Sequence, residues 1–275
     1  MLLAVGAPRI VGNATEPRLR FVEQTKPEGA WAGRRLLTVD EAPAFELSFW
    51  CGTCQFLFER LEGATTTFSP DGADSLAAGP DGLDEEVISQ FAALLPEGRY
   101  QPLLLQVEPR LINPSKAGDY FAEEQVATWG LESFWGLPAY PRTPYYRTYE
   151  TAIDADAHLY EFVVPMVPPS WNERDRVTAY AAHLAGGAIP TAVAVSILDV
   201  CAPADEQGPD YYTHWALAHF LLDGHHKMQA AAETGRPLRL LSLLAIDAGL
   251  AEAVQVADLP TLRAATPQTR SRAHA

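Results

Sequence analysis

The sequence predicts an α+β protein with a regular C-terminal module and an additional α+β region at its N-terminus. Patterns typical of strands and helices alternate from residue 158 to residue 247, whereas the first 110 residues combine short apolar runs with Pro, Gly and Arg. With 275 residues, 48% of them hydrophobic, the chain suffices for one large domain or two smaller ones. We expect four regions, namely 1–110, a connector at 111–157, a C-terminal domain at 158–257 and a flexible tail at 258–275.

The N-terminal region contains a predicted strand, turn and helix unit around two cysteines. Apolar and polar residues alternate at 45–50, as in a half-buried strand, and a short helical pattern follows at 55–61. Cys51 and Cys54 lie in the turn between them, where the N-terminus of a helix lowers the pKa of a thiol. Three interpretations stay open: a redox pair, half of a tetrahedral zinc site, and two half-buried thiols with no chemical role.

Three further elements are expected before the connector. Residues 63–82 are rich in Gly, Ala, Ser, Thr, Asp and Pro, which is typical of a solvated loop. Residues 84–95 predict a helix, because the acidic residues at its start interact favourably with the positive end of the helix dipole. Residues 101–107 form an apolar run of the length of a strand.

The connector is rich in aromatic residues and prolines. Pro138, Pro141 and Pro144 exclude a continuous helix between residues 113 and 149. The Trp, Phe and Tyr side chains of this segment supply a large apolar surface, which we interpret as the packing of an ordered connector. A surface that stacks a ligand is the alternative.

The C-terminal domain follows a strand and helix pattern with clear boundaries. Asn172 is placed to cap the first helix, Gly186 and Gly187 end it, and Gly235 ends the second helix. The predicted strands are 159–167, 191–200, 215–222 and 238–246, and the predicted helices are 172–184 and 226–234. His214 and His219 are five residues apart near the third of these strands, so they are expected on opposite faces of the sheet.

A tight turn joins the third of these strands to the second helix. It consists of Asp223, Gly224, His225, His226 and Lys227 and is called the 223–227 turn below. The first N–H groups of a helix have no partner within it and the helix dipole adds positive charge, so a helix start of this kind can hold an anion. Gly224 permits a backbone path that a Cβ would obstruct, while the histidines and the lysine supply donors and charge. The pattern favours a phosphate site over the alternative, a plain strand-to-helix connection with surface histidines.

The turn and its surroundings resemble the signature of the ParB/sulfiredoxin superfamily. The segment Leu221-Leu222-Asp223-Gly224-His225-His226-Lys227, followed by Ala230-Ala231, Gly235 and an apolar strand, is similar to that signature. Upstream, Gly187, Pro190 and the strand from Thr191 follow in the order that is common in the superfamily.

The resemblance implies nucleotide binding. Members of the superfamily bind nucleotide phosphates at the equivalent turn, so all five residues of the 223–227 turn are expected to bind phosphate, with ATP or ADP and Mg²⁺ as cofactors. Lys227 stands where Arg is usual and supplies a point charge instead of a bidentate fork. The turn lacks the reactive cysteine of the sulfiredoxins, which argues against that activity.

Small-molecule phosphotransfer is the activity that the resemblance favours, with a small hydroxylated molecule as the acceptor. In the free-serine kinases of the superfamily a carboxylate upstream of the turn acts as a general base, and Glu161 is the candidate here, with His225 and His226 as further catalytic candidates. The alternatives are a non-catalytic nucleotide-sensing or protein-interaction module, a nuclease of the same superfamily, and a zinc or thiol protein centred on Cys51 and Cys54.

Charge and composition limit the expected partners and the expected location. The formal net charge of −15 repels phosphate backbones, which argues against nucleic acid as a partner and against the nuclease. We expect no membrane span, because no run reaches the roughly 20 apolar residues that a span requires. The N-terminus lacks the basic segment of a secretory signal and the chain contains only 3 cysteines, so a cytoplasmic protein is predicted.

Overall fold

The computed structural model describes residues 1–24, 34–47, 58–68, 82–129, 141–202 and 212–268. Within these ranges the chain forms two β-sheets and five α-helices. Most of the predicted unit around Cys51 and Cys54, including both cysteines, lies outside the described residues. The end of its predicted helix is described, and residues 59 and 60 form a strand instead.

The strands and helices are numbered in chain order. The strands are β1 (Leu2–Val5), β2 (Arg9–Val11), β3 (Leu19–Gln24), β4 (Arg34–Val39), β5 (Ala42–Glu46), β6 (Glu59–Arg60), β7 (Gly98–Val107), β8 (Arg110–Ile112), β9 (Tyr145–Ala152), β10 (Ala157–Pro165), β11 (Thr191–Cys201), β12 (Thr213–Asp223) and β13 (Leu238–Ala245). The helices are α1 (Glu85–Ala92), α2 (Glu124–Trp129), α3 (Arg174–Ala185), α4 (His225–Thr234) and α5 (Ala253–Ala264).

The larger sheet has nine strands in the order β1-β7-β13-β11-β12-β10-β9-β8, with β2 also paired to β7. It is mixed, because β10 pairs with β12 and β11 pairs with β13 in parallel, whereas the other neighbours are antiparallel. The smaller sheet contains β3, β4, β5 and β6 in sequence order.

The predicted fold class is wrong. The chain is mostly sheet, with 41% strand against 23% helix, and its main feature is a mixed sheet of nine strands instead of a compact α+β module like those of the ParB/sulfiredoxin superfamily. This sheet takes strands from residues 2–11, 98–112, 145–165 and 191–245, so it crosses the divisions expected at residues 110 and 157. β9 was not predicted, because polar side chains interrupt the apolar pattern of its sequence, Tyr-Tyr-Arg-Thr-Tyr-Glu-Thr-Ala.

Each face of the large sheet buries a separate apolar core. On one face the small sheet packs against it, as shown by the 5.1 Å distance between the ring centroids of Phe45 and Phe220. On the other face the core includes Val177 and Leu184 of α3, Met228 of α4 and Leu259 of α5, all buried against the strands. The nine strands therefore form the middle layer between the small sheet and the helices.

A buried ion pair links the two sheets. The guanidinium of Arg35 in β4 makes two hydrogen bonds of 3.1 Å to the carboxylate of Asp199 in β11 and a third, of 2.6 Å, to the carbonyl oxygen of Ala248. The N–H of Leu250 also donates to Asp199, at 2.7 Å. Two oppositely charged groups that are buried with several hydrogen bonds fix the position of one sheet on the other.

The predicted elements of the C-terminal domain agree with the structure to within a few residues, and the tail differs. The helix expected at 172–184 spans Arg174–Ala185, and the one expected at 226–234 spans His225–Thr234. The first part of the expected flexible tail belongs to α5, whose Val256, Leu259 and Arg263 are buried. This helix was not predicted, because one of its three buried residues is an arginine, which weakens the apolar pattern.

Candidate functional site

The 223–227 turn lies where β12 ends on the helix-covered side of the sheet. Gly224 adopts the left-handed conformation, with φ of 92°, directly before the first residue of α4. A Cβ on Gly224 would lie 2.7 Å from Cβ and 2.9 Å from Cα of Ala192, so the turn presses against β11 and admits only glycine. The strand, the glycine and the helix start thus meet as the sequence predicts.

Lys227 is held inside the protein at the base of the turn. Its ammonium group donates to the carbonyl oxygen of Thr191 at 2.9 Å and to the Asp223 carboxylate at 3.3 Å, and it lies 5.9 Å from the centre of the Tyr180 ring. Burial lowers the pKa of Lys227, and the carboxylate of Asp223 offsets this only in part. Lys227 and Asp223 therefore form a buried ion pair beneath the start of α4.

His225 is a buried acceptor. Its Nε2 accepts a hydrogen bond of 3.1 Å from the backbone N–H of Met166, which requires that this nitrogen carries no proton. Burial lowers the pKa of His225 to about 4, in agreement with a neutral ring. Its own carbonyl oxygen accepts from the side chain of Asn172 at 3.3 Å. His225 thus fastens the loop after β10 and does not act as a cation.

His226 is partly exposed and has a similar function. Its Nε2 accepts from the N–H of Glu173 at 3.1 Å. Partial burial and the positive charge of Arg176 lower the pKa of His226. Because Nε2 is an acceptor, the proton of the neutral ring belongs on Nδ1, which remains a donor. The two histidines together hold residues 166–173, called the 166–173 loop below, against the start of α4.

The structure does not bring Glu161 to the turn. Its carboxylate is fully buried in β10, where it accepts from Arg263 Nε and from the Thr148 hydroxyl, both at 2.6 Å. Burial by itself raises the pKa of Glu161, but Arg263 and His219 outweigh it and hold the pKa below its ordinary value. Glu161 pairs with Leu217, six residues before Asp223, which corresponds to roughly 20 Å along the strand. We therefore correct its assignment from general base to partner in a buried ion pair.

A buried polar chain that sequence reasoning missed continues from Glu161 across the sheet. His219 Nε2 lies 3.9 Å from the Glu161 carboxylate, and His219 Nδ1 lies 2.8 Å from the hydroxyl of Ser242. Ser242 donates in turn to the hydroxyl of Ser196 at 2.8 Å. These residue types occur in serine hydrolases, but Ser242 is completely buried, so no substrate reaches it. Isolated polar residues within several apolar strands are the signal for such a chain.

His214 lies on the opposite face of β12 from His219, as the spacing predicts. Its Nδ1 lies 2.7 Å from the Tyr120 hydroxyl and its Nε2 lies 2.9 Å from the Thr128 hydroxyl. With both ring nitrogens in hydrogen bonds within the core, His214 is a structural residue.

The metal ligands expected at Cys51 and Cys54 lie outside the part of the chain that the structure describes. Among the described residues no three His, Cys, Asp or Glu side chains are grouped as a metal ion would require. Cys201, at the end of β11, is buried.

No helix in the described ranges combines the length and the apolar character needed to cross a membrane. No protein family, curated protein or solved structure matches the chain.

Proposed function

We propose that the protein binds the phosphate groups of a nucleotide at the 223–227 turn and acts as a nucleotide-sensing or interaction module. The observation that carries the proposal is the left-handed Gly224, packed on Ala192, which leads a buried strand directly into the first turn of α4. The first N–H groups of such a helix attract anions through hydrogen bonding and the helix dipole. The likeness of the motif to the ParB/sulfiredoxin signature supports the same ligand.

The charges at the turn agree with an anionic ligand. His226 presents Nδ1 as a donor and Arg176 adds positive charge nearby, while the charge of Lys227 is balanced by Asp223. One fully buried group also lacks a partner among the described residues, since the hydroxyl of Thr191, beside Lys227, makes no hydrogen bond. ATP or ADP with Mg²⁺ is the proposed ligand, and a cytoplasmic location is part of the same proposal.

Phosphotransfer from that nucleotide to a small hydroxylated molecule is a second candidate function. It is favoured by the carboxylate of Asp223, which lies in the turn itself and replaces Glu161 as the group nearest to bound phosphates. A general base must lie within hydrogen-bond reach of the acceptor hydroxyl, and Asp223 meets that condition more readily than a carboxylate roughly 20 Å away. The ion pair with Lys227 occupies the Asp223 carboxylate, which weakens it as a general base and favours binding without catalysis.

The test is isothermal titration of the protein with ATP, ADP and CTP in the presence of Mg²⁺, for the wild type and for His226→Ala. The variant removes a partly exposed donor, so we expect it to fold and to bind at least about fivefold more weakly, as befits the loss of one hydrogen bond to a charged group. His183→Ala is the matched control, because His183 is exposed at the far end of α3. Wild-type protein that binds none of the three nucleotides would refute the proposal, and transfer of phosphate to an acceptor would establish the second candidate.

A further inference from the structure

The 166–173 loop carries an exposed tryptophan to the side of the 223–227 turn. Trp171 is 57% exposed, although it belongs to a loop that is fixed on both sides by hydrogen bonds to the histidines. Only one residue separates it from Glu173, whose N–H donates to His226, so the Cα atoms of Trp171 and Glu173 are at most about 7.6 Å apart. The Trp171 ring is thus exposed to solvent next to the start of α4.

An arginine from the smaller sheet supports this ring. The guanidinium of Arg60 in β6 lies 5.4 Å from the centre of the Trp171 ring, in the range of a cation–π contact. Arg60 also donates to the carbonyl oxygen of Ala64 at 2.7 Å, and its Nε is buried with no hydrogen-bond partner among the described residues. Burial lowers the pKa of Arg60. The ion pairs of the described residues assign no carboxylate to Arg60, and its side chain contacts the Ala64 carbonyl oxygen and the Trp171 ring.

Arg60 also lines a groove on the smaller sheet. The groove has a volume of about 890 Å³, and its walls include Arg60, Thr65 and Thr66. Two residues further along, the N–H of Phe68 donates to the carbonyl oxygen of Leu222 at 2.9 Å, directly before Asp223. The segment that follows the wall of the groove therefore packs beside the end of β12.

We propose that Trp171, held by Arg60, stacks the base of the nucleotide whose phosphates lie at the 223–227 turn. The inference rests on the proposed function and extends it, because it makes the ligand a nucleotide with an aromatic base and not a simple phosphate. Every base offers a π-face, so stacking on one side of Trp171 while Arg60 covers the other requires no particular base.

The test compares Mg²⁺ complexes of ATP, CTP and inorganic tripolyphosphate in titrations with wild type, Trp171→Ala and Trp171→Phe. We expect Trp171→Ala to bind ATP or CTP roughly 5- to 150-fold more weakly, the range for loss of one stacking partner, while its affinity for tripolyphosphate is unchanged. Trp171→Phe should retain most of the nucleotide affinity. Ile10→Ala is the control, because Ile10 is an exposed apolar residue in β2, far from α4 in the sheet order.

The outcomes separate this inference from the function on which it rests. If the wild type binds nucleotides and tripolyphosphate equally well, or if Trp171→Ala weakens both to the same degree, the stacking role is overturned while phosphate binding stands. If the wild type binds neither, the proposed function itself fails, and the inference fails with it.

Discussion

At the scale of single residues, ionisable groups in this protein are placed mostly for structure. His225 and His226 accept hydrogen bonds from the loop after β10, and Glu161 is neutralised by Arg263 instead of facing a substrate. Breaking such a buried pair leaves an uncompensated charge, which typically costs about 3–5 kcal/mol. The types of these residues were visible in the sequence, but their roles depend on partners 53 to 102 positions away in the chain.

The neutral state of His225 predicts a loss of stability in acid. The pKa of this buried ring is about 4, below the value near 6.5 of an unfolded histidine, so the unfolded chain binds the extra proton first as the pH falls. Stability that is complete above pH 6.5 is therefore lost between about pH 6.5 and pH 4. By pH 5 the loss from this group amounts to roughly 2 kcal/mol.

Urea unfolding at pH 7 and pH 5 measures this effect. In His225→Leu the difference in unfolding free energy between the two pH values should be smaller than in wild type by roughly 2 kcal/mol. His183→Ala, which removes an exposed histidine, should leave the difference as it is. An equal pH dependence in wild type and His225→Leu would show that His225 is not held neutral by the fold.

At the scale of elements, local sequence patterns predicted the turn, the strand before it and the helix after it. A strand at 215–222, the glycine and a helix at 226–234 were predicted to within two residues of the observed β12 and α4, because apolar runs, Gly and helix-stop signals are short-range features. β9 and α5 were missed, since Arg147 of β9 and Arg263 of α5 are buried and paired with acidic residues. A pattern of apolar residues does not indicate that a charged residue is buried when its partner lies elsewhere in the chain.

Gly224→Ala should be more damaging than Gly187→Ala. The two glycines have φ of 92° and 91°, so the strain of a left-handed alanine, roughly 1–2 kcal/mol, is the same for both. A Cβ on Gly187 meets nothing within 4 Å, whereas one on Gly224 meets the backbone and side chain of Ala192. We therefore expect a greater loss of unfolding free energy in Gly224→Ala, together with weaker nucleotide binding.

Chemical denaturation and nucleotide titration of the two variants check this expectation. The loss of unfolding free energy in Gly187→Ala measures the strain of the backbone conformation alone. The additional loss in Gly224→Ala measures the steric conflict with Ala192 of β11. Equal unfolding free energies for the two variants would mean that the turn does not press on Ala192 as described.

At the scale of the whole molecule, the prediction of a compact C-terminal module failed because strands distant in sequence complete its sheet. β7 pairs with β13 across more than 130 residues of chain, and β1 and β2 extend the same sheet beyond β7. Such pairings depend on which edges remain open once the neighbouring strands have paired, and a local pattern does not contain that information. The Arg35–Asp199 pair joins the smaller sheet to this layer, so Arg60 and Trp171 come together from separate parts of the chain.

The most direct test of nucleotide binding at the turn is a long-range ¹H–¹⁵N spectrum of protein labelled in its 7 histidines, titrated with Mg²⁺-ATP. The His226 ring, assigned with His226→Ala, should show a large shift of Nδ1 because that nitrogen donates to a phosphate, while the exposed His183 stays unchanged. A His226 ring that is insensitive to saturating nucleotide, or shifts that occur only at histidines away from α4, would contradict the account.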